Sequence, residues 1–457
     1  PDLVPEMEKV RQWAQDTRDG SRSDLDFEPT PAVWDTVCCE VGNCLGGRCP
    51  HFRNCFLMRA RMRLLRSQVI VANHALFFID MAMKRDMNYA PEAGLLPPYG
   101  LVILDEGHCV EDTAAVNLGV RISAFTVRKL LRRLFNPDRN RGLLTDVMYT
   151  EQRMTVLRVQ EQCERFFRRL HEWAEVQEDN PLRYTCPGHV PDLIGDGLGE
   201  VATQALNLSR EETDEGRQTE LASIAERLRG CREAVRTVLD MALENHVYWI
   251  ERYGSDLRGL SLHAVPIEVG PMLHEALLNQ DFPVVLTSAT LAVRGHLDYF
   301  LERVGATGAR GLTLSSPFDH QRQVKLHVPS GMPSPKNTQE FIPAAAAQIR
   351  RFVELTHGKA FVLFTSYLMM QDMAAELADF FAEKGIALFV QGEGLPRSAM
   401  LQRFREDVDS VIFGTASFWT GVDVPGDALR NVIIVRLPFA VPDHPLTQAR
   451  QETIETK

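Results

Sequence analysis

Leu101-Val102-Ile103-Leu104-Asp105-Glu106-Gly107-His108 is the stretch on which the fold is decided. Four consecutive apolar residues between turn residues read as a buried strand of a parallel sheet. The strand delivers Asp105 and Glu106 to its C-terminal edge, where open α/β sheets bind ligands. Similar short apolar segments recur at Val69–Ala72, Val284–Thr287, Ala360–Phe364, Ala387–Val390, Val411–Phe413 and Val432–Val435, with helical patterns between most of them. Tyr367–Lys384 carries apolar residues at helical spacing, ends in Lys384-Gly385 and runs back into a strand, which is a βαβ unit. The fold class is α/β, and the residues from about Val324 to the end form one doubly wound domain.

Between Leu104 and Val284 the pattern changes. Residues Glu151–Val176 and Glu211–Arg252 are charged helical patterns with an apolar stripe, for example Leu221, Ile224, Leu228, Cys231, Val235 and Leu239. Connections inside α/β domains run to about 2–6 residues, so so long an interval is a folded insertion. It is placed at Phe125–Tyr253 and expected to be mostly helical, with Asn180–Gly199, rich in Pro and Gly, as its irregular part.

At 457 residues the chain is too long for one compact core, and two or three domains are expected. It begins at Pro1, without a secretion signal or an apolar run long enough to span a bilayer, so a cytoplasmic, truncated protein with no membrane partner is expected. A formal net charge of −11 excludes a generally basic surface, so nucleic-acid binding would have to use a local groove. Arg59, Arg61, Arg63 and Arg66, and further on Arg128, Lys129, Arg132 and Arg133, read equally well as solvated helix faces or as phosphate contacts. Five of the nine cysteines fall between Cys38 and Cys55, which favours a metal or an iron–sulfur cluster over disulfides.

Three strings carry chemistry. In nucleotide hydrolysis the first carboxylate of Asp105-Glu106 would hold magnesium and the second would orient or deprotonate water; the bland alternative is a strand ending in an acidic turn. Thr287-Ser288-Ala289-Thr290-Leu291, at the end of another apolar strand, could hydrogen-bond the acidic turn or a phosphate, or simply cap a helix. Gly414-Thr415-Ala416-Ser417-Phe418-Trp419-Thr420-Gly421-Val422-Asp423-Val424-Pro425-Gly426 follows a third strand. Its hydroxyls suit sugar–phosphate contacts and Asp423 a ribose hydroxyl, against a plain glycine-rich turn.

In this order the strings resemble superfamily 2 helicases. With Cys44-x4-Cys49-x5-Cys55 upstream of Ile70-Val71-Ala72-Asn73-His74, the helical insertion and Ser316-Pro317-Phe318-Asp319, the chain looks like the DinG/YoaA branch of the XPD-like iron–sulfur helicases over nearly its whole length. The resemblance implies two RecA-like parallel-sheet motor domains, at 1–124 with 254–323 and at 324–457. It also implies an iron–sulfur segment at 38–66 and an Arch-like insertion at 125–253. The implied activity is an ATP-dependent motor, monomeric, moving 5′ to 3′ on single-stranded DNA and acting on branched or forked DNA in repair or replication.

Its implied cofactors are ATP, Mg2+ and a [4Fe–4S] cluster on Cys44, Cys49 and Cys55, although thiolates at these spacings also suit zinc. Asp105 takes the magnesium role and Glu106 the water-activating role, with His108 linking nucleotide state to the second motor domain. Ser288 and Thr290 couple the domains, Gly421 and Asp423 reach the ATP site, and Asn73, His74, Thr415 and Ser417 contact DNA.

The sequence departs from the family in lacking the phosphate loop G-x-x-x-x-G-K-[ST]. The resemblance puts that loop and the fourth cluster ligand upstream of residue 1 and the terminal arginine motif after residue 457; Cys38 or Cys39 could substitute locally as the fourth ligand, although vicinal cysteines so near Cys44 do not match the family position. The residues as they stand are expected to hydrolyse little ATP. Gly107 stands where alanine is commoner, and Thr420 where many relatives carry glutamate. The competing reading is a non-catalytic nucleic-acid-binding scaffold with a structural zinc site.

Overall fold

The structure, a computed structural model, describes residues 3–40, 42–86, 94–177, 180–253, 259–419, 421–439 and 442–456. The chain divides into two compact units, Pro1–Cys38 with Ser316–Phe439 and Cys39–Ser315 with Ala440–Lys457. Among the described residues ten strands form three sheets: β1 (Val102–Leu104), β2 (Val120–Ser123), β3 (Leu182–Tyr184), β4 (His246–Arg252), β5 (Leu260–Pro266), β6 (Val284–Leu286), β7 (Ala360–Leu363), β8 (Leu388–Val390), β9 (Val411–Gly414) and β10 (Asn431–Ile434).

In the first unit the order is β10-β7-β9-β8, and every pair is parallel. Parallel strands need helical crossovers, and the crossovers cover both faces. The alternation of side chains is visible in the two cores. Val362, Val411 and Phe413 face the helices Thr338–Thr356 and Tyr367–Lys384, while Phe361, Leu363 and Ile412 face the helix Arg397–Glu406 and Phe418. The helix Tyr367–Lys384 has the bounds expected from its apolar spacing. Ser366 caps its start by accepting from the Met369 amide, and Gly385, in the left-handed region at φ 62°, ends it.

In the second unit β1 and β6 pair in parallel, Val102 opposite Val284 and Leu104 opposite Leu286. Val102 and Leu104 turn into a core shared with the helices His74–Asp86 and Val110–Leu118, whereas Ile103 on the other face is 60% exposed. The strand read as buried is therefore buried on one face only. Val69–Ala72 is not a strand: Val71 is 94% exposed, and no neighbouring strand pairs with the segment among the described residues. An apolar run becomes a strand only where another strand takes up its amides.

The inserted region contains an antiparallel sheet, β2-β5-β4-β3, besides its helices Ala124–Leu134, Thr150–Val176, Gly195–Glu211 and Glu215–Leu239. One continuous core runs through helices and sheet from Ile122 to Ala264. Two expectations change accordingly. The helical pattern assigned to Glu211–Arg252 breaks after Leu239, and His246–Arg252 is a strand, as its Val-Tyr-Trp-Ile run of β-branched and aromatic residues favours. Asn180–Gly199, read as irregular, holds β3 and the start of a helix. The sheet carries the folded region past 125–253 on both sides, from Val120 to Pro266. At the far end of the chain, the helix Pro445–Thr456 buries Leu446 and Ala449 in the core of the second unit, so the α/β domain read from Val324 to the end stops short of it.

Phe413 is fully buried, with ring centroids of Phe364 and Phe381 at 5.1 Å and 5.9 Å. Phe413→Ala should destabilise the first unit by about 3–5 kcal/mol. Urea unfolding followed by fluorescence should show the loss; a shift under 1 kcal/mol, on the order of a surface substitution, would contradict this core assignment.

Candidate functional site

Because β1 and β6 lie side by side, the turns that follow them meet. The ladder continues past the strand ends: the Thr287 amide donates to Leu104 O at 2.9 Å, and the Gly107 amide to Thr287 O at 2.8 Å. The side chains then interlock. The Thr287 hydroxyl donates to Asp105 Oδ1 at 2.8 Å, and the Ser288 hydroxyl lies 2.7 Å from His108 Nδ1. Glu106 Oε2 is 3.5 Å from the same nitrogen, and the Thr290 amide donates to Ser288 Oγ at 3.3 Å. Asp105, Glu106, His108, Ser288 and the Thr290 backbone are thus gathered at one sheet edge. Thr287, quoted in the sequence only as part of its string, is the residue that orients the first carboxylate.

Glu106 sits in the left-handed region at φ 51°, ψ 46°. For a non-glycine residue this costs on the order of 1 kcal/mol, a strain that the doubly bonded backbone on either side sustains. Both carboxylates remain exposed. Donation from the Thr287 hydroxyl, and secondarily from the Glu106 amide, holds the Asp105 carboxyl below its ordinary value; slight burial opposes this, and the charge of the nearby His74 assists it. The shift keeps Asp105 ionised to lower pH than an ordinary aspartate, and its charge is lost only as pH falls through the depressed value. At Gly107 an added Cβ would meet Thr287 O at 3.4 Å, ordinary contact, so an alanine would fit.

Asn73 caps the helix His74–Asp86: its Oδ1 accepts from the Leu76 amide at 2.8 Å, and its carbonyl accepts from the Phe77 amide. His74 is half-buried beside Phe78.

In the first unit a second cluster forms where β7, β8 and β9 end. Gln391, immediately after β8, accepts from the Thr415 amide at 2.8 Å and from its hydroxyl at 3.0 Å. Its Nε2 donates to Tyr367 Oη at 2.5 Å and to Ser417 Oγ at 3.1 Å. Thr415 is only 5% exposed and spends its hydroxyl on Gln391, whereas Ser417 is exposed. Of the two hydroxyls read as backbone contacts, Ser417 is the one placed to reach a ligand. Gly414 has no room for a side chain, since a Cβ would lie 2.6 Å from the Phe418 ring. The loop after it is held through its backbone, Arg397 donating to Gly421 O at 3.1 Å and Arg405 to Asp423 O at 2.6 Å. The Asp423 side chain is left exposed. Thr420 lies outside the described residues.

Gln391, Tyr367, Arg397 and Arg405 escaped the sequence reading. The only signal for Gln391 was its place directly after an apolar strand.

Cys49 and Cys55 close the short 3-10 turns Gly46–Arg48 and Phe52–Asn54, Cys44 lies just before the first, and Cys55 also begins the helix Phe56–Arg66. All three thiols are free and at least partly exposed. Among the described residues no three His, Cys, Asp or Glu side chains are gathered so as to hold a metal ion. The segment also has no core: from 42 to 57 no residue is buried. Besides its two 3-10 turns the run is tied by an ion pair from Arg48 to Glu215 at 3.4 Å, and its three soft thiol donors are of the kind that would hold a cluster or a zinc ion.

Residues 349–457 match the family described as Helicase C-terminal domain. The chain is 31% identical to the ATP-dependent DNA helicase YoaA of Escherichia coli, across 98% of this chain and 68% of that protein. With the protein of the same name from Haemophilus influenzae it is 30% identical, across 98% and 67%. It is 26% identical to the 3'-5' exonuclease DinG of Bacillus subtilis, matching all of this chain and 52% of that one.

Thr287→Val removes the hydroxyl donor while keeping the shape of the side chain. The Asp105 carboxyl should then titrate closer to its ordinary value of 3.8, as read by carboxyl carbon NMR. An unmoved titration would mean that Thr287 does not set the charge of the box.

Proposed function

We propose that this chain, which belongs to the DinG/YoaA family of XPD-like DNA helicases, supplies the water-activating and coupling parts of an ATP-driven DNA motor. The observation that carries the reading is the double link from Thr287 to Asp105 and from Ser288 to His108. Magnesium supplies charge neutralisation at the transferring phosphate when bound, and Asp105 is the residue to hold it. Asp105 stays ionised to low pH, and its exposed carboxylate is oriented by the Thr287 hydroxyl and the Glu106 amide. Glu106, lifted into solvent by its left-handed backbone, orients the attacking water and accepts its proton. His108 shares a hydrogen bond with Ser288, so a change at the hydrolytic turn is felt directly by the strand that carries the T-S-A-T string.

The finer reading is the one that the likeness to this family suggests. The motor moves 5′ to 3′ on single-stranded DNA, unwinds branched or forked substrates in repair or replication, and works as a monomer in the cytoplasm. Ser417 contacts the DNA backbone with Thr415 and Gln391 as its support, Asn73 and His74 line the strand's path, and Gly421 and Asp423 serve the nucleotide. Cys44, Cys49 and Cys55 hold the [4Fe–4S] cluster. No helix among the described residues is long and apolar enough to cross a membrane.

The sequence contains no G-x-x-x-x-G-K-[ST] loop, so the amide cradle and lysine for the β- and γ-phosphates are not among residues 1–457. This polypeptide by itself is therefore expected to turn over little ATP. In a chain that also carries a phosphate loop, Glu106→Gln should keep ATP binding and lose DNA-stimulated hydrolysis by about 100-fold or more. Unchanged turnover would remove Glu106 from its role. For the metal, purified protein should be brown, with iron and acid-labile sulfide in equal amounts, and Cys49→Ser should lose both. Colourless protein holding one zinc would favour the scaffold reading.

A further inference from the structure

The helix Pro445–Thr456 has no place in the mechanism above, yet it is tied to three separate parts of the second unit. Its apolar side, Leu446 and Ala449, is buried in the core that contains Val110, Ala114, Ala115 and Leu118 of the helix following the D-E-G-H box. His444, just before it, sets its ring against Trp249 of β4 at 5.3 Å. Arg450 is mostly buried: it donates to Asp112 Oδ1 at 2.6 Å and to the backbone oxygen of Ile267, past the end of β5, at 3.2 Å, and its Nη2 lies 3.1 Å from Glu111 Oε1 as an ion pair without hydrogen-bond alignment. Glu111 is itself held by Arg303, whose Nε is 3.2 Å from its other carboxylate oxygen. Two residues beyond Arg450, Glu452 takes a two-pronged bond from Arg183 of β3, at 2.5 Å and 2.7 Å.

Glu111 and Asp112 lie only three and four residues beyond His108. Arg450 therefore fixes the first turn of the helix that begins directly behind the hydrolytic box. Its planar fork suits this role, because one guanidinium donates to the Ile267 carbonyl and the Asp112 carboxylate while its charge stays beside Glu111. Asp112 is largely exposed and its pair is screened, but Glu111 is mostly buried, so removing its cationic partners would leave a poorly solvated charge. The chain that reaches this helix comes from β10 of the other sheet, with only the residues between Ile434 and Pro445 intervening.

We propose that the helix Pro445–Thr456 is a clasp that holds the box helix Val110–Leu118 against the root of the inserted sheet, and that Arg450 is a positioning residue for the D-E-G-H box. The catalytic consequence rests on the helicase reading, while the clasp itself does not. Hydrogen exchange of residues 1–457 tests the clasp. Arg450→Met should speed exchange of the amides of 110–118 by about tenfold, with β7 and β9 unchanged as a control against general unfolding. Arg450→Lys, which keeps charge without the fork, should recover part of the protection. Unchanged exchange at 110–118, or equal loosening of β7 and β9, would overturn the clasp. In a chain that carries a phosphate loop, Arg450→Met should lower the maximal DNA-stimulated ATP turnover about tenfold at an unaltered KM for ATP, and unaltered turnover would overturn the positioning role. If that chain showed no turnover with Arg450 intact, the helicase reading would fail, and the exchange result would still decide the clasp.

Discussion

The parallel pairing of β1 with β6 is the constraint from which the candidate site follows. Asp105 and Thr287 are 182 residues apart in the chain, and they touch only because these two short strands share a ladder. Closing so long a loop has an entropic cost that grows slowly with length and must be met by structure within the loop. The inserted region meets it at its neck. β2 and β5 are antiparallel partners, with Val120 opposite Ala264 and Ser123 opposite Ser261, so the chain leaves and re-enters at adjacent points. The core from Ile122 to Ala264 then folds as its own body without disturbing the register of β1 on β6.

The other sheet solves a different problem with the same geometry. β7 and β9 are covered on both faces, so their side chains serve only packing, and chemistry is displaced to the residues just beyond the strand ends. Gln391 shows how such an edge is organised. A single carboxamide, both donor and acceptor, takes two bonds from Thr415 and gives two, to Tyr367 and Ser417. The cluster fixes which hydroxyl is spent internally and which stays available. The loop from Gly421 to Asp423 is fixed by its carbonyls, and Asp423 stays exposed.

Where packing is absent, something else must supply order. The cysteine segment has turns but no buried residue between 42 and 57, in contrast to the dense core of the inserted domain. Its order rests on those turns and on surface contacts such as the ion pair from Arg48 to Glu215. Val71, nearly fully exposed although apolar, shows the same rule from the other side: hydrophobicity without a neighbour produces no strand.

Local pattern alone determined a good deal. The α/β class, all six strands of the two parallel sheets, the helix Tyr367–Lys384 and the D-E-G-H and T-S-A-T strings were legible because strand and helix periods and capping residues are written over a few consecutive positions. The tertiary structure decided what depends on partners distant in sequence. It chose Thr287 to orient Asp105, assigned Thr415 inward and Ser417 outward, and left Val69–Ala72 unpaired. It also turned His246–Arg252 into a strand and placed the helix Pro445–Thr456 on the second unit. In each case the physical reason is the same: a hydrogen bond or a buried face is a property of two segments, and one segment's residues do not state where the other will be.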